Sequence, residues 1–214
     1  MASPTRLLRN LIVACLLCLG FWQMGQGAYI PAKAWLAQEL MVRAWMRSAE
    51  FGDRQVPWPW ADTWPVARLE IPVRGIERMV LHGASGRTLA FGPAWDSASA
   101  PPGGAGLVLL SGHRDTHFRF LAKLQTGEIV SLVHKTGETR YVVESTEVFD
   151  SRQRQVADPG GVDRLVLVTC YPFDTLRPGG PLRYAVMARR VFQAEKKRVM
   201  AASGVPESPV AGAI

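Results

Sequence analysis

The chain of 214 residues carries three cysteines, and one of them stands apart. Cys15 and Cys18 lie inside an apolar N-terminal run, where a CxxC spacing reads as two small hydrophobic residues rather than a redox pair. Cys170 sits where the apolar run Val166-Leu167-Val168-Thr169 meets Tyr171-Pro172, so its thiol belongs at the end of a strand, beside a loop. A rigid strand end is a good mount for a nucleophile. Such a thiol needs a partner to take its proton or to stabilise its thiolate, and imidazole is the usual one because its charge changes near neutral pH. His113 occupies a comparable junction, in Leu109-Leu110-Ser111-Gly112-His113-Arg114-Asp115-Thr116-His117-Phe118. His117 stays open between packing and catalysis, whereas His82 and His134 lack polar company and read as structural. Thiolate attack on an amide also calls for a group that stabilises the oxyanion. Arg183, at the start of the last apolar run, offers a permanent charge and a fixed fork of donors. Arg177, in a loop rich in Pro and Gly, is the weaker candidate.

Zinc chemistry competes for the same residues. His113 and His117 have the i, i+4 spacing of a metal-binding helix, and Asp115 or Cys170 could complete a site. Arg114, however, stands where the HExxH motif has its general-base Glu, and a fixed cation beside a dication is unfavourable.

The elements that must position these residues are strands. Short apolar runs at Val66–Val73, Ile76–His82, Leu107–Ser111, Ile129–His134, Tyr141–Val148, Leu165–Thr169 and Arg183–Phe192 alternate with turn signals such as Pro101-Pro102-Gly103-Gly104 and Pro178-Gly179-Gly180-Pro181. Helix is scarce after residue 65, with one short candidate at His117–Leu124. The simplest architecture is a mainly β domain over 66–192, a closed or nearly closed antiparallel barrel. Residues 193–214, rich in Ala, Pro, Ser and Gly, read as a mobile tail.

Upstream, residues 1–10 include Arg6 and Arg9 and precede an apolar run from Leu11 to Trp22 that continues, broken by Gln23 and Gln26, to Ile30. Twenty residues at about 1.5 Å each match a hydrocarbon core of roughly 30 Å. The arginines then predict a single-pass transmembrane helix over 11–30 with a cytoplasmic N-terminus and the remainder of the chain exported. A cleaved signal peptide is the rival, with small-x-small sites at Gly25-Gln26-Gly27 and Ala32-Lys33-Ala34. Residues 31–65 divide into a helix over Ala32–Glu50 and an extended connector over Phe51–Pro65, in which Trp58, Trp60 and Trp64 alternate with prolines and are expected to dock.

Composition excludes several classes. With 48% hydrophobic and 20% charged residues the chain is not disordered throughout, and three cysteines cannot build a disulfide scaffold. The net charge of +7 would suit nucleic acid, but the basic residues are scattered and no nucleic-acid-binding signature is present, so the charge fits membrane proximity.

Three segments in order, Ser111 to Phe118, Leu167-Val168-Thr169-Cys170-Tyr171-Pro172-Phe173 and Pro181-Leu182-Arg183-Tyr184, resemble the His, Cys and Arg segments of a sortase. Lys33-Ala34-Trp35-Leu36-Ala37-Gln38 and Trp58-Pro59-Trp60-Ala61-Asp62-Thr63-Trp64-Pro65 resemble the Gram-negative branch, the class GN sortases. The resemblance implies an eight-stranded sortase barrel and a cysteine transpeptidase that cuts an LPxTG-like C-terminal sorting signal of an exported protein and transfers it to an amine acceptor in the envelope. It implies Cys170 as nucleophile, His113 as general acid/base and Arg183 as the cation for the oxyanion or the substrate. No cofactor is implied, and no carboxylate cluster is visible to which a calcium site could be carried over. Val166 departs from the common Thr-Leu-x-Thr-Cys pattern at its first position, a change expected to alter packing rather than chemistry. A cysteine peptidase that only hydrolyses, or a non-catalytic envelope module, are the alternatives.

Overall fold

A computed structural model describes residues 4–52, 54–156, 162–175 and 179–191. The tail expected over 193–214 and Arg177 lie outside the described residues. The chain forms two compact units, Met1–Leu40 and Met41–Ile214.

Helix α1 spans Pro4–Phe51. An anchor and a separate helix from residue 32 were expected, but one helix runs through both segments. Among the described residues, no helix is long and apolar enough to cross a membrane. The expected transmembrane helix over 11–30 is therefore not found. Its uninterrupted apolar stretch, Leu11–Trp22, reaches only about 18 Å at 1.5 Å per residue, and polar Gln23 and Gln26 follow. Ile12, Val13, Leu16, Leu17, Leu19 and Trp22 are all exposed.

The second unit is a closed barrel of eight strands: β1 Pro65–Ile71, β2 Ile76–His82, β3 Ala94–Trp95, β4 Leu107–Ser111, β5 Ile129–His134, β6 Gly137–Asp150, β7 Arg164–Cys170 and β8 Leu182–Arg190. Their order around the barrel is β1-β2-β3-β4-β7-β8-β6-β5, closed by pairing of β5 with β1. The expected antiparallel sheet is in fact mixed. β2 pairs with β3, and β4 with β7, in parallel. The β5–β6 hairpin and its loops separate β4 from β7 in sequence, the long excursion that a parallel pair needs. β3 has two residues, too few to leave an alternation in the sequence. The helix expected at His117–Leu124 is a 3-10 turn over Arg119–Lys123, and a four-residue helix, α2, covers Gly86–Leu89.

Alternation decides what the barrel encloses. Ala67, Leu69 and Ile71 of β1, Val108 and Leu110 of β4, Val130 and Leu132 of β5, Leu165 and Leu167 of β7, and Val186 and Ala188 of β8 point inward, with Phe118, Leu121 and Leu124 packed among them. Each large apolar side chain so buried contributes about 1.5–3 kcal/mol. The intervening positions of β7, Val166, Val168 and Cys170, take the opposite face. There Leu107, Val166 and Ala185 are buried under a second apolar cluster with Leu109, Phe149, Val156, Val168 and Met187. Val166, where the common pattern has Thr, is thus a packing residue.

The connector is non-helical and partly docked, as expected. Trp58 meets Phe91 edge-on at 5.1 Å between centroids, and Trp64 stacks on His82 at 3.8 Å. Trp60 does not dock; it is 81% exposed. Met41 and Trp45, from the end of α1, pack with Met79, Leu81 and Phe91.

Candidate active site

The strand order brings the three sequence-selected residues to one place. β7 lies between β4 and β8. Cys170 ends β7 and is the direct cross-strand partner of Arg183 at the start of β8, so the two side chains share a face. On the other side, the parallel register sets Ser111 abreast of Val168, so the chain leaves β4 toward His113 at the same rim where β7 reaches Cys170.

Local bonds fix that rim. The Gly112 N–H donates to the Val168 carbonyl at 3.1 Å, and the buried Thr169 Oγ1 donates to the Gly112 carbonyl at 2.7 Å. Gly112 has no room for a side chain: a Cβ would come within 2.7 Å of the Phe118 ring. The loop carrying His113 is therefore stitched to the strand carrying Cys170, one residue before each. His113 is exposed and Cys170 half-buried. Arg183 Nη1 donates to the carbonyls of Gly180 at 2.7 Å and Leu182 at 2.9 Å, which holds the guanidinium at the rim. The segment after Cys170 is braced by rings: Tyr171 stacks on Tyr184 at 6.1 Å, and Phe173 meets Tyr184 edge-on at 5.1 Å.

The other histidines differ. His117 has Nε2 at 3.4 Å from the Ala90 carbonyl, and burial pushes its pKa down, with Arg78 and His113 adding to the shift. His134 is bound on both nitrogens, to Thr136 and Thr139 at 3.0 Å each, and His82 lies against Trp64. Among the described residues, no three His, Cys, Asp or Glu side chains gather as a metal would require, so His113, His117 and Asp115 or Cys170 do not form the zinc set considered above.

Sequence reasoning missed the most heavily bonded side chain at the rim. Arg114 is 9% exposed and bidentate to Asp115, with Nε–Oδ1 at 2.7 Å and Nη2–Oδ2 at 2.9 Å. It also donates to the carbonyls of Pro172 at 2.6 Å and Thr175 at 3.1 Å. The hydrogen bonds from Arg114 hold the Asp115 carboxyl below the usual carboxylate range. Its signal in the sequence is its place directly after His113.

Residues 69–191, more than half of the chain, match the sortase domain. The chain belongs to the sortase family. Over 124 residues it is 32% identical to Sortase D of Bacillus subtilis (strain 168), a match covering 58% of this chain and 62% of that protein. The chain thus spans less than two thirds of the curated relative it matches. Its fold is similar to that of Sortase A from Corynebacterium diphtheriae, with a TM-score of 0.55 at 24% identity over 62% of this chain and 63% of that one. Sortase C-1 from Actinomyces oris gives 0.53 at 25% identity, over 60% and 75% of the two chains. The barrel is of sortase type, mixed and eight-stranded, and Cys170, His113 and Arg183 all fall inside the matched sortase span. The segments 33–38 and 58–65, which carried the resemblance to class GN, fall outside it.

Proposed function

We propose that this sortase is a cysteine transpeptidase that cuts an LPxTG-like C-terminal sorting signal of an exported protein and passes that protein to an amine acceptor in the envelope. The observation that carries the reading is the strand order, with Cys170 on the middle strand, Arg183 paired across from it and His113 just beyond the end of the parallel neighbour. The Cys170 thiolate attacks the scissile carbonyl carbon while Arg183 balances the charge developing on its oxygen. As the C–N bond breaks, His113 gives its proton to the leaving amine, and a thioacyl-enzyme remains. An incoming amine then attacks the thioester and loses its proton to His113, the C–S bond breaks, and the thiolate is regenerated. The outer apolar cluster around Val166, Val168 and Leu109 lies on the face of Cys170 and suits the Leu and Pro of such a signal, lying extended before the scissile bond.

Transfer has to outcompete water at about 55 M, which only a positioned amine can do. Residues 171–175, which follow Cys170 at the rim, are candidates to wall that amine; segment 94–106 is not, because it leaves the rim at Ala94, the partner of Ser111, and ends at the opposite end of the barrel, where the Arg164 N–H donates to the Gly106 carbonyl. We also assign the protein to class GN, on segments 33–38 and 58–65. Attachment to the inner membrane through residues 11–30, with the barrel on the periplasmic side, is supported by Arg6 and Arg9 ahead of the apolar run and by its exposed side chains. The test incubates the enzyme with an LPxTG-type peptide and a series of primary amines and weighs the products. Amide products are expected. Accumulation of only the hydrolysed acid with every amine would replace the transpeptidase with a peptidase.

A further inference from the structure

Arg114 is a nearly buried guanidinium with acceptors on two sides. Its bidentate partner Asp115 belongs to its own loop, whereas the carbonyls of Pro172 and Thr175 belong to the segment that follows Cys170. A planar fork of five donors can satisfy both sides at once, which an ammonium cannot. Because Arg114 directly follows His113 and Pro172 lies two residues past Cys170, whatever fixes one to the other fixes the base relative to the nucleophile. The Gly112 bonds to Val168 and Thr169 do this just before His113 and Cys170; the Arg114 clamp does it just after them.

We infer that Arg114 is a positioning residue for the reaction: its guanidinium holds the chain beyond Cys170 against the loop of His113 and sets a second fixed cation, besides Arg183, beside the thiolate. Arg114 Nη1 lies 2.6 Å from the carbonyl of Pro172, two residues past Cys170, which places its charge at the same rim as the thiol. The charged and titratable groups around the thiol are then His113, Arg114 and Asp115 from the loop after β4, Arg183 from β8, and Asp174 from the loop after β7. Asp150, at the end of β6, faces Arg183. Asp115 sets how much of the Arg114 charge the thiolate feels. Its carboxylate is 68% exposed, so solvent weakens that neutralisation without cancelling it.

The inference rests on Cys170 being the nucleophile, and the experiment separates the two. The pH dependence of Cys170 alkylation by iodoacetamide is read by mass in the full chain, alongside kcat and KM for an LPxTG-type peptide. Arg114→Gln removes charge and fork, Arg114→Lys keeps the charge alone, and Asp115→Asn keeps the guanidinium but frees it of its counter-charge. The alkylation midpoint is expected to move to higher pH in Arg114→Gln, to stay near wild type in Arg114→Lys, and to move to lower pH in Asp115→Asn. The value of kcat is expected to fall about a hundredfold in both Arg114 variants, with KM little changed, as for a loss of alignment. A structural role alone would not move the midpoint in opposite directions. If Arg114→Gln fails to fold, the other two variants decide. Arg114→Lys with wild-type kcat, or an unmoved midpoint in Asp115→Asn, overturns the inference. Cleavage by Cys170→Ala would overturn the nucleophile assignment instead and leave the alkylation result standing.

Discussion

His82 and His113 both lie at or just past the end of a strand with an arginine nearby, and their surroundings divide them. His82, at the end of β2, is stacked on Trp64 at 3.8 Å and meets Trp95 edge-on at 5.4 Å, while Arg54 lies over the Trp64 ring at 3.5 Å. Its backbone is bound as well, the N–H to the Trp64 carbonyl and the carbonyl to Thr63 Oγ1. The stack on Trp64 and the two backbone bonds hold the connector on the barrel. His113 is exposed, has a thiol at the end of the neighbouring strand and an arginine one strand further on. A histidine packed between rings can only be structural. One left open beside a thiol has somewhere to send a proton.

The sharpest break of this comparison removes the reacting groups. Cys170→Ala and His113→Ala should each lower cleavage of an LPxTG-type peptide by about 10⁴-fold or more, as loss of one member of a nucleophile–base pair does. The barrel should remain folded, because Cys170 is only half-buried and His113 is exposed. Near wild-type turnover in either variant would remove it from the mechanism. His82→Phe, which keeps a ring in the stack, should leave kcat near wild type.

A smaller effect is expected one strand away. Arg183→Ala should lower kcat by about 10²–10³-fold, the loss of an oxyanion donor, with Lys restoring only part of it. A change confined to KM would make Arg183 a residue that binds ground state and transition state alike.

The sequence made Cys170, His113 and Arg183 visible for a physical reason: each sits where an apolar run meets a turn, and such junctions are local. The barrel strands were legible as short apolar runs bounded by Gly and Pro turn signals. Such runs do not record the partner, so the parallel pairing of β4 with β7, on which the meeting of His113 and Cys170 depends, was not legible. Arg114 was hidden for the same reason, since its carbonyl partners lie 58 and 61 positions away. In the connector, the prolines revealed an extended chain and the tryptophans a docked one. Which indole docks is set by the barrel surface beneath, which Trp58 and Trp64 reach and Trp60 does not.

The smallest effect tests the structural side of the comparison through pH. The pKa of His82 is pushed down, first by burial and then by Arg54. The same direction holds for His117, by burial with Arg78 and His113, and for His134, by burial with Arg190. An unfolded chain takes up these protons near the ordinary imidazole value of about 6.5, whereas the folded protein takes them up only at lower pH. Between those values the unfolded state holds more protons, so stability falls as pH drops. The loss begins about one pH unit above 6.5, as the unfolded imidazoles start to protonate, and levels off once pH is below the folded-state values; well above 6.5 these three groups contribute no slope. His82→Phe keeps the stack and removes one titrating group, so urea unfolding of this variant should show a shallower loss of stability on acidification than wild type. An acid slope equal to that of wild type would mean that His82 is not buried against Trp64 and Trp95 in solution, and that the connector is held to the barrel by Trp58 and the end of α1 instead.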